Sequence, residues 1–516
     1  MREFGSGMER ARHGLCVSRE APPNSRPTTE TTTKPKMEMT EHTTPQQDRE
    51  RAPTSSSMVE TGIYRYERNR SSHEYFSPGP HSKLRTGTAA SAVFNLVSTI
   101  IGGGVLSLPY AFDKCGIVLA TVFMIIAASG STFTLYVIVS CSRRGGATTF
   151  EEIVRKALGP RAGLVTVVLL VMLTFLTMVA YVILIKDLVG ALAAQFLFGR
   201  AVTDGEKGML TIVAVALVLP ILFARSMHAL RFTSIFSLVS VMVLAVAISI
   251  RAINDPIDAP EVDVTTPIKW FPSNWRDPIY AFPIISVSYL CHFNVLPVYR
   301  ELQKPTRHRL KRIVTCTMIS TWFFYMMVGC MGYVFAFRRP GGVKDDILNN
   351  FATNDQFVNL GRMGLLVTIL LSIPLIIQPC RMNILRLAKY INGFVSAARN
   401  GEDVALLDTP RTPALRRGGA QVPLSERLST HVLLTLAIIA SVVTLALDLP
   451  GVAVVWNIMG STVGILISYV LPCISYVLIR NNKPHTNKRK ATAWFIFSVS
   501  AVMCVACTLQ AFSSFV

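Results

Sequence analysis

The stretch Thr99-Ile100-Ile101-Gly102-Gly103-Gly104-Val105-Leu106-Ser107-Leu108-Pro109 decides how the chain is read. It lies inside an apolar run from Thr88 to Phe112, long enough to cross a bilayer. Three consecutive glycines and a proline at mid-depth are of no use to a plain anchor. Glycine weakens a helix, and proline removes a donor and clashes with the preceding turn. In hydrocarbon, broken backbone survives only where it is buried in protein or lines a cavity. The stretch therefore reads as a membrane helix unwound near its middle.

The rest of the chain supports a membrane setting. It has 516 residues, 51% hydrophobic and 16% charged, and its charges are confined to blocks between long apolar runs. That pattern is an all-α polytopic membrane protein rather than a soluble domain. Net charge is +20, which the loops of a positive-inside protein explain; no basic domain stands apart from the spans, so nucleic acid is not an expected partner. Most of the ten cysteines lie in apolar runs, and Cys504-Val-Ala-Cys507 is read as packing or lipid-facing, without a second ligand pair for a metal.

Residues 1–86 hold 14 Lys/Arg and 11 Asp/Glu among Thr, Pro and Ser, and are expected to be a disordered cytosolic tail. They carry no apolar segment of the signal-peptide kind. The sequon Asn69-Arg70-Ser71 falls on the cytosolic side, where it goes unused. A transporter domain is expected over 87–513, with eleven spans at about 88–112, 115–141, 162–186, 207–224, 229–252, 278–300, 312–337, 358–380, 430–448, 451–479 and 491–513. The fourth and ninth are the least cleanly apolar. With the N-terminus cytosolic, the five inside connections hold 26 Lys/Arg and 7 Asp/Glu, while the outside ones carry more acid than base. Residues 149–158 alternate apolar and charged at helical spacing before Gly159-Pro160, which predicts a short surface helix. Residues 394–427 read as a flexible cytosolic loop, with Thr409 and Thr412 as linker residues in preference to modification sites.

A second interruption lies in the sixth span. Pro283 and Pro297 flank Ser286, Ser288, Tyr289, Cys291, His292 and Asn294, and polar groups at mid-depth are costly unless they face a cavity or a partner. Broken spans five apart in order predict two five-helix repeats of opposite orientation, about 88–252 and 278–479, with the helix at 491–513 peripheral. Freed N–H groups at helix N-termini suit a carboxylate, and freed carbonyls and hydroxyls suit an ammonium. A zwitterion between the two breaks meets both needs.

At these motifs the chain resembles the amino acid/auxin permease (AAAP) family. They are Asn95 with Ile101–Phe112, Cys291–Leu302, Pro374–Arg381, and Gly460-Ser461-Thr462 with Ser468–Pro472. The match runs in order over about 84–513, and the triple glycine is similar to the trypanosomatid branch. The resemblance implies a LeuT-like (APC) fold with substrate between spans 1, 3, 6, 8 and 10. It implies substrate contacts at Thr99, Ile100, Gly102, Gly103 and Gly104, and at Ser286, Ser288 and Tyr289, with Thr174, Thr177, Thr368 and Ser372 as further contributors. Many relatives carry an acid where this chain has Asn294.

No acid lies at the middle of any span. His292 is a candidate proton-coupling group, or else a donor that holds the sixth-helix break open. Thr368 and Ser372 are candidate sodium ligands with first-helix carbonyls. The expected function is a secondary amino acid permease working by alternating access, coupled to protons or sodium, in the plasma membrane rather than an acidic organelle. It needs no cofactor beyond that ion, and its partners are an amino acid and the lipid bilayer. The alternative is a transporter-like sensor whose tail engages a cytosolic protein. A channel would need a continuous pore, and no catalytic constellation supports an enzyme.

Overall fold

An apolar segment in lipid satisfies its own backbone only as helix or closed barrel, and this chain takes the helical solution. The computed structural model describes residues 87–222, 233–254, 267–303, 306–400, 428–480 and 487–513. The tail, its sequon, and Thr409 and Thr412 lie outside the described residues.

Helix α1 (Ala89–Ile100) starts at Thr88, whose hydroxyl caps the Ser91 N–H, and stops where Gly102 adopts an extended conformation. A 3-10 turn over Gly103–Ser107 leads into α2 (Leu108–Cys115), which has Pro109 in its first turn, where no N–H is needed. The two halves bend by 52°. Gly116 then turns the chain at φ 73°, where an added Cβ would lie 2.6 Å from the Phe271 backbone nitrogen. Only glycine fits there, and it launches α3 (Ile117–Gly145).

Helix α4 (Phe150–Leu158) is the short helix expected from the sequence, capped by Thr149 and ended at Gly159. It rests on α5 (Pro160–Ala193). There follow α6 (Asp204–Leu222), α7 (Thr233–Asn254), and the broken pair α8 (Arg276–Ser288) and α9 (Val295–Glu301). Then come α10 (Arg307–Ala336), α11 (Gln356–Asn400), α12 (Leu428–Asp448), α13 (Val452–Ile458), α14 (Leu471–Ile479) and α15 (Lys488–Ser513).

Among the described residues, nine helices are long and apolar enough to cross a membrane, and ten if α1 and α2 count as one bent span. The sixth segment expected from the sequence consists of α8 and α9, at 13 and 7 residues, joined through Tyr289–Asn294. Neither half is long enough to cross alone. The fourth and ninth segments are uninterrupted helices of 19 and 21 residues. One boundary is corrected: α11 continues to Asn400, into the stretch 394–427 read as a loop. The rest of that stretch lies outside the described residues.

Between α13 and α14 the helix loosens into wider turns over Met459–Gly464 and Leu466–Val470. Gly460 there packs directly on the Pro283 carbonyl of α8, leaving no room for a side chain. The freed Ser461 carbonyl accepts from Cys504 Sγ at 3.2 Å and Thr508 Oγ1 at 3.3 Å on α15. Cys507 is buried and neither cysteine is in a disulfide, so this pair serves packing. Leu217, Leu433, Phe495 and Val502 are more than two-thirds exposed and give α6, α12 and α15 apolar outer faces suited to lipid.

Candidate substrate site

The two interruptions meet. The Tyr325 hydroxyl of α10, fully buried, lies 2.7 Å from the Ile100 carbonyl and 2.9 Å from the Ser288 carbonyl. It has one proton to donate to the two acceptors. Asn294 Nδ2 donates to Thr99 Oγ1 at 2.7 Å, which ties the second break to the first. Outside the breaks, the Gly87 N–H donates to the Glu301 carbonyl at 3.0 Å, and the Gln303 N–H to the Gly87 carbonyl at 2.9 Å. Of the polar side chains that looked costly in an apolar span, Asn294 joins the two unwound segments.

A cavity of about 730 Å³ opens beside them. Of the residues singled out from the sequence, Thr99, Ile100, Gly102, Gly103, Gly104, Ser288, Thr174, Thr177 and Ser372 line it. Ser286, Tyr289, His292 and Thr368 do not. Ser286 donates to Tyr469 at 3.4 Å, and the Tyr289 hydroxyl reaches Met124 Sδ at 3.3 Å. His292 is fully buried with Nε2 at 2.8 Å from Thr134 Oγ1 on α3. The unwound segment has turned Tyr289 and His292 to the back of the site, and Ser286, in the last turn of α8, points toward Tyr469. Thr368 is buried, and its hydroxyl lacks a hydrogen-bond partner among the described residues.

The glycines differ in what they do. A Cβ on Gly103 would lie 2.6 Å from Leu184 Cδ1, so this position is needed for packing against α5. At Gly102 the nearest atom is the Tyr181 hydroxyl at 3.2 Å. At Gly104 it is Ser288 Oγ at ordinary contact distance, 3.4 Å. Gly104 is thus the glycine whose extra atoms would grow into free space.

Most hydroxyls around the cavity donate back into their own helices. Thr99 donates to the Asn95 carbonyl at 2.7 Å, Thr174 to Leu170 at 2.9 Å, and Thr177 to Leu173 at 2.7 Å. Ser288 donates to Ile284 at 2.8 Å and Ser372 to Thr368 at 2.7 Å. With their protons engaged, these oxygens offer lone pairs, which suits a cationic group. In contrast, Trp456 lines the cavity with an indole N–H that has no partner among the described residues. It is a donor suited to a carboxylate.

Trp456, Tyr181, Asn95 and Asn294 are lining residues that sequence reasoning did not assign. Aromatic residues in an apolar run look like core. Asn294 was noted only as a departure from the family pattern, although a lone amide at mid-depth was a usable signal.

The charged residues lining the cavity, Glu151, Arg300 and Arg386, belong to α4, α9 and α11. Arg386 Nη1 bonds both Glu151 oxygens at 2.8 and 3.0 Å. On α4, burial works against ionisation of Glu152, but hydrogen bonds from Lys156 and the Thr148 N–H hold its carboxyl below the usual range. The cavity therefore runs from the neutral pair of breaks to the charged surface around α4.

A family model described as transmembrane amino acid transporter protein matches residues 85–513. The chain is similar to sodium-coupled neutral amino acid symporter 2 of Danio rerio, at 22% identity over 427 residues, covering 78% of this chain and 76% of that one. It is also similar to sodium-coupled neutral amino acid transporter 7 of Xenopus laevis, at 26% identity over 432 residues, covering 82% and 87%. Among solved structures, a substrate-bound, outward-open Na+-coupled sialic acid symporter is similar at 13% identity and a TM-score of 0.46, covering 88% of this chain and 95% of that one.

Proposed function

The chain belongs to the transmembrane amino acid transporter protein family, and from that premise we propose how it selects and moves its substrate. It is a multi-pass membrane protein and a secondary active transporter of amino acids. The substrate is a neutral amino acid held between the two breaks. Its carboxylate takes the Trp456 indole N–H and freed backbone N–H groups of the first break. Its ammonium takes the carbonyl and hydroxyl oxygens of Thr99 and Ser288. The observation carrying this reading is the charge pattern of the cavity: its only carboxylate among the lining residues, Glu151, is paired to Arg386 at the α4 end. A cationic side chain would have no counter-ion beside the breaks.

Coupling is to sodium rather than protons. Among the described residues, no histidine or carboxylate lines the cavity beside the breaks, and His292 is turned toward Thr134. We assign His292 to holding the second break open. The unpartnered Thr368 hydroxyl, with Ser372, supplies hard oxygen ligands of the kind sodium prefers. The names of the Danio rerio and Xenopus laevis relatives support the same ion and substrate class. The arrangement is two five-helix repeats of opposite orientation, with α8 and α9 as one crossing and α15 peripheral. With positive loops inside, α4 lies on the cytosolic face of the plasma membrane, so the cavity reaching it is an inward-facing state. The sensor alternative drew on residues 1–86, which lie outside the described residues, and no other observation supports it.

The test is uptake of a panel of twenty radiolabelled amino acids by the purified full chain in liposomes, at two pH values, with and without an inward sodium gradient. Small neutral amino acids should accumulate only with sodium. Accumulation driven by a pH gradient alone would refute the sodium assignment, and preferential uptake of lysine or arginine would refute the neutral pocket.

A further inference from the structure

A second cavity, of about 480 Å³, lies outside the transport path between α3, α10 and the start of α15. Its rim is basic, with Arg307, His308, Lys311 and Arg489, and its floor is Phe133 and Val314. Arg307 also borders an adjoining narrow cleft with Arg143, Arg144 and Arg480. No carboxylate is among the described residues lining either space.

Arg480 shows how crowded the positive charge is. It is buried, donates to Ser140 Oγ at 3.1 Å, and lies 5.0 Å above the Tyr476 ring. Burial, and then the charges of Arg144 and Arg307, weaken its hold on its proton. A concentration of like charge in a groove focuses a field that an anion would relieve. Guanidinium groups match phosphate oxygens in pairs.

The groove continues into apolar surface. Ile125 and Ile126 lie one turn along α3 from Ser129 at the groove, each 51% exposed. Ile319, on the same face of α10 as His308, is 52% exposed, and Phe323 is 64% exposed one turn beyond. Phosphate-binding groups followed by an apolar track match a lipid headgroup and its chain.

We propose that this groove binds an anionic phospholipid, its phosphate held by Arg307, Lys311 and Arg489 and its acyl chain laid between α3 and α10. The leaflet is the cytosolic one in the orientation proposed above, but the lipid contact depends on neither the transported substrate nor its ion.

The test is native mass spectrometry of the detergent-solubilised full chain titrated with dioleoylphosphatidylserine or dioleoylphosphatidylcholine. The serine lipid should be retained at least tenfold more strongly, and 10 mM inorganic phosphate should not displace it. The triple variant R307A/K311A/R489A should lose this preference, whereas R307K/R489K should keep it. Thr132→Trp, which fills the groove without replacing a cation, should lose it too. Equal retention of the two lipids would overturn the proposal. So would undiminished serine-lipid retention by the Thr132→Trp variant, or by the triple variant at wild-type melting temperature. Displacement by inorganic phosphate would make the groove a free-anion site instead.

Discussion

At the scale of single residues, the site depends on one hydroxyl. Tyr325 is the direct tie between the Ile100 and Ser288 carbonyls, and it is buried where no solvent can replace it. Tyr325→Phe removes that single donor, at a cost of about 1–3 kcal/mol for the carbonyl left unsatisfied. If the tie holds the breaks in register for transport, the initial uptake rate should fall about tenfold, equivalent to about 1.4 kcal/mol. Uptake at the wild-type rate would show the hydroxyl to be dispensable. Tyr325 was not legible in advance, because a tyrosine in an apolar helix carries no mark of where its hydroxyl ends. The same limit applied to Tyr289 and His292. An unwound segment has no helical period, so neighbouring polar side chains could not be sorted into front and back.

At the scale of elements, hydropathy and punctuation did most of the work. The apolar runs set the spans to within a few residues, and Gly102–Gly104 with Pro109, and Pro283 with Pro297, marked the two breaks. Thr149 and Gly159 marked both ends of α4. The missed boundary was the extension of α11 to Asn400: Arg381, Asn383, Arg386 and Lys389 end the hydropathy signal, yet arginine and lysine remain good helix formers. The start of α4 also makes a pH prediction. The Glu152 carboxyl is lowered by Lys156 and the Thr148 N–H against the effect of burial. A depressed carboxylate contributes stability that is present above its unfolded value and lost as pH falls through its folded one. Wild type should therefore melt higher than Glu152→Gln at pH 7, and the difference should shrink as pH falls through the depressed carboxylate's folded value. A gap that persists in acid would mean that the Glu152 latch is not ionic.

At the scale of the whole molecule, an all-helical membrane protein with two interrupted spans accounts for the cavity, its neutral inner end and its charged mouth. The class of the protein was readable from the pattern of apolar runs and charged blocks. The cavity was not, because its walls come from six segments far apart in sequence, and which faces they turn to one another is decided by packing. The central claim is that substrate occupies the space beside the first break, and Gly104 tests it most cleanly. Gly103 would clash with Leu184 on substitution, whereas a side chain at Gly104 first meets Ser288 Oγ at 3.4 Å and then enters the cavity. The decisive measurement is sodium-driven uptake of a radiolabelled small neutral amino acid by Gly104→Val in liposomes, beside wild type at equal protein and equal melting temperature. The account predicts loss of at least nine-tenths of the uptake. Uptake at the wild-type level, with a valine filling that space, would contradict it.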